Sequence, residues 1–513
     1  MVDSCGGVGV GAWRGTLAAP EEAEEIRAYN GRGDDPLLHL KPEDGWFGDP
    51  IPFFWDGTWH LFYLRDQQHH ALPGGRHQWG HFASRDLVTW EELPLAIPLG
   101  EVGAPDSASC GTGSIVERDG VFHLYYLGRY IASNGDRRET ICHATSRDLV
   151  AWEKDPANPI SRPDPARYSL ADWRDPFPIW NEEAGEYWML VTATLKDGPA
   201  SRRGCLALLV SPDLGEWTLR EPFWAPHLGY DHECPDLFRW GDWWYLVYST
   251  GGDPSNKGTM YRRSRSASGP WESMPVEALE GPLFYAGKTA FDGERRMLFG
   301  WVPTRERDED AGRVQWGGHG ATREVVQAAD GALWVHCPPE VLDLGRRLPA
   351  PLVPRLGEWE IDGGSAVAAP REGLAYATIE GVPDLFTARV RFRPSGRASR
   401  FGLFLRTDPA LERGYALRVE PGRGRVSLAP FGVRGRAAEC GVMRPLPGAE
   451  GREVEVVVVV DGSIVEAYVD GRVALVGRFH DLRGESLGLF VEDGGGEFAG
   501  LDLRALAPDE AGR

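Results

Sequence analysis

Five segments of this chain repeat one design, an apolar and aromatic-rich run, a short turn, and a second aromatic run. They are 51–63 (IPFFWDGTWHLFY), 115–126 (IVERDGVFHLYY), 177–190 (FPIWNEEAGEYWML), 237–248 (LFRWGDWWYLVY) and 290–301 (AFDGERRMLFGW). Each reads as an antiparallel strand hairpin. Between them recurs a polar turn that ends in tryptophan: SRDLVTW from Ser84, SRDLVAW from Ser146, SPDLGEW from Ser211 and a degenerate SASGPW from Ser266. Successive starts lie 62, 65 and 55 residues apart, about the length of a four-stranded sheet with its loops. Self-similarity at such a period means like units packed side by side. The chain is therefore expected to be all-β, with a five-bladed β-propeller in which each period is one blade. The first strand of a blade lies innermost, so residues at its start face the central channel.

The pattern stops after Trp334, and 348–356 (LPAPLVPRL) carries three prolines. Beyond it, alternating runs such as 388–392, 401–406, 415–419, 454–460 and 464–469 are separated by Gly, Asp and Pro turns, the spacing of a β-sandwich. The expected organisation is an extension over 1–39 with a short acidic helix at 20–29, a propeller over 40–345, a linker over 346–356 and a C-terminal β-sandwich over 357–513.

Acidic side chains outnumber basic ones, 76 to 55, for a formal charge of −21. That balance disfavours nucleic acid, anionic membranes and phosphorylated ligands and favours a neutral ligand. The 20 Trp and 15 Tyr fit this, since aromatic rings both fill β cores and stack on sugar faces. The first twenty residues show no basic region followed by an apolar run, and no later stretch reaches membrane-span length. Seven cysteines (5, 110, 142, 205, 234, 337 and 440) are odd in number and lack CxxC spacing, which points to reduced thiols and a cytoplasmic protein. No metal or cofactor is expected; His69 and His70 read as loop residues.

Three innermost-strand starts carry an acid beside a proline: Gly48-Asp49-Pro50, Arg174-Asp175-Pro176 and Glu233-Cys234-Pro235. Proline is expected to hold the backbone extended there and to aim each carboxylate into the channel. Glycoside hydrolysis needs a pair of carboxyl groups flanking the scissile bond, one able to protonate the leaving oxygen. Arg174 beside Asp175 is expected to keep that aspartate ionised. Glu233, flanked by Asp231 and Asp236, is expected to have its pKa raised by like charge and burial, as suits a general acid.

These motifs together resemble glycoside hydrolase family 32, the invertase, inulinase and levanase group, over about residues 40 to 505. The resemblance implies a nucleophile at Asp49, a transition-state stabiliser at Asp175 and an acid/base at Glu233. It extends to Trp79-Gly80-His81, the Gly113-Ser114 turn, the Phe299-Gly300-Trp301 strand and Trp316-Gly317-Gly318 before Arg323-Glu324. Trp46, Trp79, Ser114, Arg174 and Trp301 are the candidate substrate-binding residues. In the second domain, DGSIVEAYVDG at 461–471 is similar to the family's strand pair.

The chain also departs from the family pattern. Gly48 stands where the family has Asn, Ile51 and Pro52 where it has Asn-Gly, and Leu64 where it has Gln. The missing amides contact the sugar in the family's first subsite, so reaction type carries over better than substrate. The expected activity is retaining cleavage of β-fructofuranosidic linkages. The alternatives are a fructosyltransferase, an inverting arabinan- or xylan-type furanosidase, and a carbohydrate-binding propeller without catalysis.

Overall fold

The computed structural model describes residues 36–66, 76–251, 257–362, 364–369, 371–408, 410–432, 440–484 and 486–506. The expected helix at 20–29, His69, His70 and Cys5 lie outside them. The five hairpins expected from sequence are the first two strands of successive antiparallel sheets. Their first strands are β1 (Trp46–Trp55), β2 (Ser109–Arg118), β3 (Tyr168–Asn181), β4 (Glu233–Trp240) and β5 (Tyr285–Phe291). These strands neighbour one another in a closed circuit, β1 on β2, β2 on β3, β3 on β4, β4 on β5 and β5 back on β1. The circuit is sealed by hydrogen bonding as well as packing: Phe47 pairs with Gly318 of strand Val314–Gln327, and Leu40 bridges to Gly320. The first and last sheets of the circuit are thereby one sheet of eight strands.

The recurrent Ser-x-Asp-Leu turn connects the third strand of a sheet to the fourth, and its chemistry explains its recurrence. Ser84 Oγ accepts from the Leu87 amide at 2.9 Å, and Asp86 Oδ1 accepts from Val88 and Thr89 at 2.9 and 2.6 Å. The Trp90 indole then donates to Leu87 O at 3.1 Å. Ser146, Asp148 and Trp152 repeat these contacts. The turn forces Leu87, Leu149 and Leu214 to φ of 63, 65 and 69°, a left-handed conformation costing about 1–2 kcal/mol per residue. The side-chain acceptors and the burial of each leucine offset that cost. Where the motif degenerates, at Ser266, the fourth strand shrinks to a single bridge, Arg263 to Glu272.

From Arg346 on, the chain builds two antiparallel sheets of eight and seven strands that share one core. The stretch 346–356, expected as a linker, contributes two short strands to these sheets: Arg346–Arg347 pairs with Gly495–Ala505, and Val353–Leu356 pairs with Leu374–Glu380. Proline is compatible with this because Val353–Leu356 is an edge strand, where a missing N–H costs no ladder bond. The sandwich core runs on into the first domain, placing Val473, Leu475 and Phe479 in one cluster with Phe284, Val302 and Val335.

A buried polar cluster pins this contact. The Leu37 and Leu38 amides donate to Asp461 at 2.6 and 2.7 Å. His39 reaches Asp461 through Nδ1 at 2.7 Å and Glu466 through Nε2 at 2.8 Å. Arg323, from the first domain, meets the same Glu466 oxygen at 2.5 Å. Burial alone would lower the His39 pKa, yet Glu466 and Asp461 raise it to about 9. Burial would raise that of Glu466, and Arg323 and His39 pull it down to about 2.

Candidate active site

Each of the five inner strands breaks its pairing at the same place. The register slips between Phe47 and Pro50, Cys110 and Gly113, Arg174 and Phe177, Glu233 and Asp236, and Tyr285 and Lys288. Each slip is a β-bulge, which bends a strand and re-aims the side chains on it. The extended backbone expected at the acid-proline steps is therefore corrected at two of the three: Asp175 and Cys234 have φ of 54 and 52°, and Ala286, at the fifth bulge, has 55°. Proline follows the kinked residue rather than straightening it.

The bulges bring the three predicted acids together around Cys234. Its amide donates to Asp175 Oδ2 at 3.0 Å, its sulfur lies 3.9 Å from Asp49 Oδ2, and its chain neighbour is Glu233. Asp49 accepts from Thr112 Oγ1 at 2.6 Å and from the Trp301 indole at 2.9 Å. Burial raises its pKa, the Thr112 hydrogen bond opposes this, and Asp175 and Glu233 raise it further, to about 7. Asp175 is 5% exposed; burial raises its pKa against the pull of Arg174, to about 6.

Arg174 favours the ionised form of Asp175, as expected, but its hydrogen bonds go elsewhere. Its Nε and Nη2 both donate to Glu233 Oε1, at 3.2 and 3.0 Å, and Nη1 donates to Asp172 at 3.0 Å, whereas Asp175 lies 4.0 Å away. The bulge turns residue 175 away from its neighbour, so the guanidinium crosses to the next inner strand. The other Glu233 oxygen accepts from the Tyr285 hydroxyl, and the glutamate keeps 23% of its side chain exposed. With Asp49 and Glu233 both part-exposed and Asp175 enclosed, the arrangement allows proton exchange with a ligand or water on one side and attack from the other.

The remaining predicted residues divide. Trp301 touches Asp49 directly. Ser114 is buried, with its hydroxyl on Gly113 O at 2.6 Å and the Lys288 ammonium on it at 2.5 Å. Trp79 is a correction: it is wholly buried, its indole donates to Gly111 O at 2.8 Å, and it props the β2 bulge without a face to offer a sugar. Trp46 packs under Lys41 and edge-on to His319. Sequence reasoning missed Thr112, Tyr285 and Lys288. They occupy the bulges of the two inner strands without an acid-proline step, and aligning all five hairpins, rather than three, would have found them.

The departures from the family pattern are also built in. A Cβ at Gly48 would lie 2.2 Å from the ring of Trp316, so this tryptophan fills the space a side chain at 48 would take. Trp316 stacks on His77 with centroids 4.1 Å apart and tilts against Trp301 at 5.5 Å. Leu64 is buried. Arg65 points elsewhere, its Nε on Asp44 O at 3.0 Å and Nη1 3.5 Å from Glu92.

Comparison with known proteins locates the chain among relatives. The model of the glycosyl hydrolases family 32 N-terminal domain matches residues 39–334, and that of the glycosyl hydrolases family 32 C terminal matches 380–505. A sucrose-6-phosphate hydrolase of Escherichia coli is 32% identical over 338 residues, 62% of this chain and 67% of that one. The raffinose invertase of Escherichia coli is 31% identical over 353 residues, 64% of this chain and 70% of the other. In fold, the exo-inulinase from Aspergillus awamori superposes with a TM-score of 0.71 at 20% identity, over 93% of this chain and 99% of its own.

Proposed function

Since the chain belongs to glycosyl hydrolases family 32, we propose that it is a retaining β-fructofuranosidase that works by double displacement on a neutral fructosyl oligosaccharide. The observation that carries this reading is the convergence of Asp49, Asp175 and Glu233, from three separate inner strands, on Cys234. In the first step Asp49 attacks the anomeric carbon while Glu233 gives its proton to the leaving oxygen, forming a fructosyl ester on Asp49. In the second step Glu233 takes a proton from water, whose oxygen displaces Asp49. Asp175, held by the Cys234 amide, accepts hydrogen bonds from sugar hydroxyls. The closed circuit of five bulged inner strands supports a five-bladed propeller over 40–345 with a sandwich after it. Buried thiols such as Cys110, Cys142, Cys205, Cys234 and Cys337 fit a reducing, cytoplasmic setting.

The Glu233 role has a direct test. Glu233→Ala is expected to lose at least about three powers of ten on an alkyl-linked fructoside and to recover much of that on an aryl fructoside, whose leaving group needs no proton. Equal losses on both would remove Glu233 from the acid role.

Substrate choice follows from the wall at Gly48. A site that hydrogen-bonds a hydroxyl through an amide discriminates strongly, and losing the amide weakens binding of the substrate that needed it. With Trp316 in that space and Leu64 beside it, sucrose is expected to be a poor substrate relative to inulin or levan oligosaccharides and difructose anhydrides. Sucrose 6-phosphate is expected to be poor too, because Arg174, the guanidinium beside the acids, is committed to Glu233 and Asp172. Comparing kcat/KM across these compounds decides the matter, and sucrose as the best substrate would overturn it.

A further inference from the structure

Lys288 lies three residues into the fifth inner strand, just past its bulge, and is 2% exposed. Burying an ammonium is costly unless neighbouring charge and hydrogen bonds repay the lost hydration. Its hydrogen bonds go to neutral oxygens of β2, Gly113 O at 2.7 Å and Ser114 Oγ at 2.5 Å, and its Nζ sits 5.3 Å from the centre of the Phe177 ring on β3. Burial disfavours the ammonium and lowers its pKa, and the carboxylates Asp236 on β4, Asp175 on β3 and Asp49 on β1 oppose this from around the channel; Gly113 adjoins Thr112, the hydroxyl donor to Asp49. The other ionisable groups of this neighbourhood are already engaged. Arg174 holds Glu233, Tyr285 donates to the same glutamate, and Arg296 lies over the Phe238 ring and donates to Thr289, the partner of Asp236. Lys288 also borders a cavity of about 220 Å³ lined by Phe53, Phe177 and Asp236.

We propose that Lys288 is a positioning residue for hydrolysis: an ammonium fixed in the channel beside Asp49 and Asp175 as their shared counter-charge, tethered to β2 through Ser114 and Gly113. The proposal rests on the reading of Asp49 as nucleophile. Asp49 attacks as an anion and becomes a neutral ester, so the charge facing it matters most in the free enzyme. Removing a cation near a carboxylate raises that carboxylate's pKa. The protonated, inactive form of Asp49 then persists to higher pH.

The test compares pH profiles of kcat/KM for the full chain and for Lys288→Met, Lys288→Gln and Lys288→Arg, on whichever of sucrose, 1-kestose and levanbiose the wild type turns over best. Gln keeps a donor for Gly113 O and Ser114 but no charge, and Arg keeps the charge. The acidic limb is expected to move up by about one pH unit in the Met and Gln variants, with about a tenfold loss of rate on that limb, and to stay in place with Arg. A merely structural lysine would lower the melting temperature without moving the limb. An unmoved limb in folded Met and Gln variants would overturn the proposal. The same shift is read without turnover by following the Asp49 carboxyl with 13C NMR in aspartate-labelled protein. If Asp49→Asn stays active, it is the nucleophile reading that fails; a dead Asp49→Asn with an unmoved limb in Lys288→Gln isolates the failure to Lys288.

Discussion

Asp49→Asn is expected to lose turnover by three or more powers of ten and yet to melt at a higher temperature than the wild type at pH 8. The rate loss follows from removing one member of a unit whose parts act together. The gain in stability follows from the environment of the carboxylate. Its pKa of about 7 in the folded chain stands above the ordinary value of 3.8 for an aspartate, so the folded state favours the protonated form. The associated stability is fully present below pH 3.8 and is lost as pH rises through 7. Asparagine is neutral throughout, keeps an acceptor for the Trp301 indole and occupies the same volume. Allowing for the partial exposure of Asp49, its advantage above pH 7 is on the order of 2 kcal/mol. Calorimetry at pH 5 and pH 8 with paired rate measurements checks both halves. An active variant, or one less stable at pH 8, would contradict the account. With Asp49 as the proposed nucleophile, the same pKa predicts that wild-type kcat/KM falls as pH drops through about 7, where the attacking anion is lost.

Glu466→Gln should be the most destabilising substitution of a residue remote from the acids, by about 3–5 kcal/mol. It leaves Arg323, 1% exposed, with Glu280 at 3.5 Å as its remaining carboxylate partner, and His39 with Asp461 as its own. Breaking one member of a buried charge cluster strands the others, which costs more than the cluster was worth intact. The pH dependence has two edges. The His39 contribution, with a pKa raised to about 9, is full below pH 6.5 and is lost as pH rises from there through 9. The Glu466 contribution, with a pKa lowered to about 2, is present above pH 4.5 and is lost as pH falls through 2. Denaturant titrations of both proteins at pH 6 and pH 9 should therefore show the wild type losing more stability than Glu466→Gln over that interval. A variant within about 1 kcal/mol of wild type would mean that packing alone joins the two domains.

What could be read from the chain beforehand was what is local. Hairpins such as 51–63 and the Ser-Asp-Leu-Trp turns declare themselves because their hydrogen bonds span two or three residues. The convergence of Asp49, Asp175 and Glu233 is legible because proline marks them in a repeated frame. The bulges were not, because a two-against-one register leaves no residue signature of its own. The direction of the Arg174 side chain depends on one of those bulges, so its hydrogen-bond partners were not legible either. Trp79 was misassigned because a tryptophan under a site and one lining it look alike in sequence. Thr112 and Lys288 carry no carboxylate and went unnoticed. The bond from His39 to Asp461, 422 residues apart, lies beyond any local pattern.

The shared sheet that seals the circuit has a consequence for synthesis. All three acids precede residue 234, so a growing chain has them in hand early. Asp49, however, takes one of its hydrogen bonds from Trp301, and its strand pairs with Gly318. Until the strand that carries Gly318 leaves the ribosome, one edge of β1 lacks its partner, and pairings over such sequence distances form slowly. Catalytic competence and closure of the ring are then a single late event, and a nascent or truncated chain ending before residue 318 carries the acids without the site.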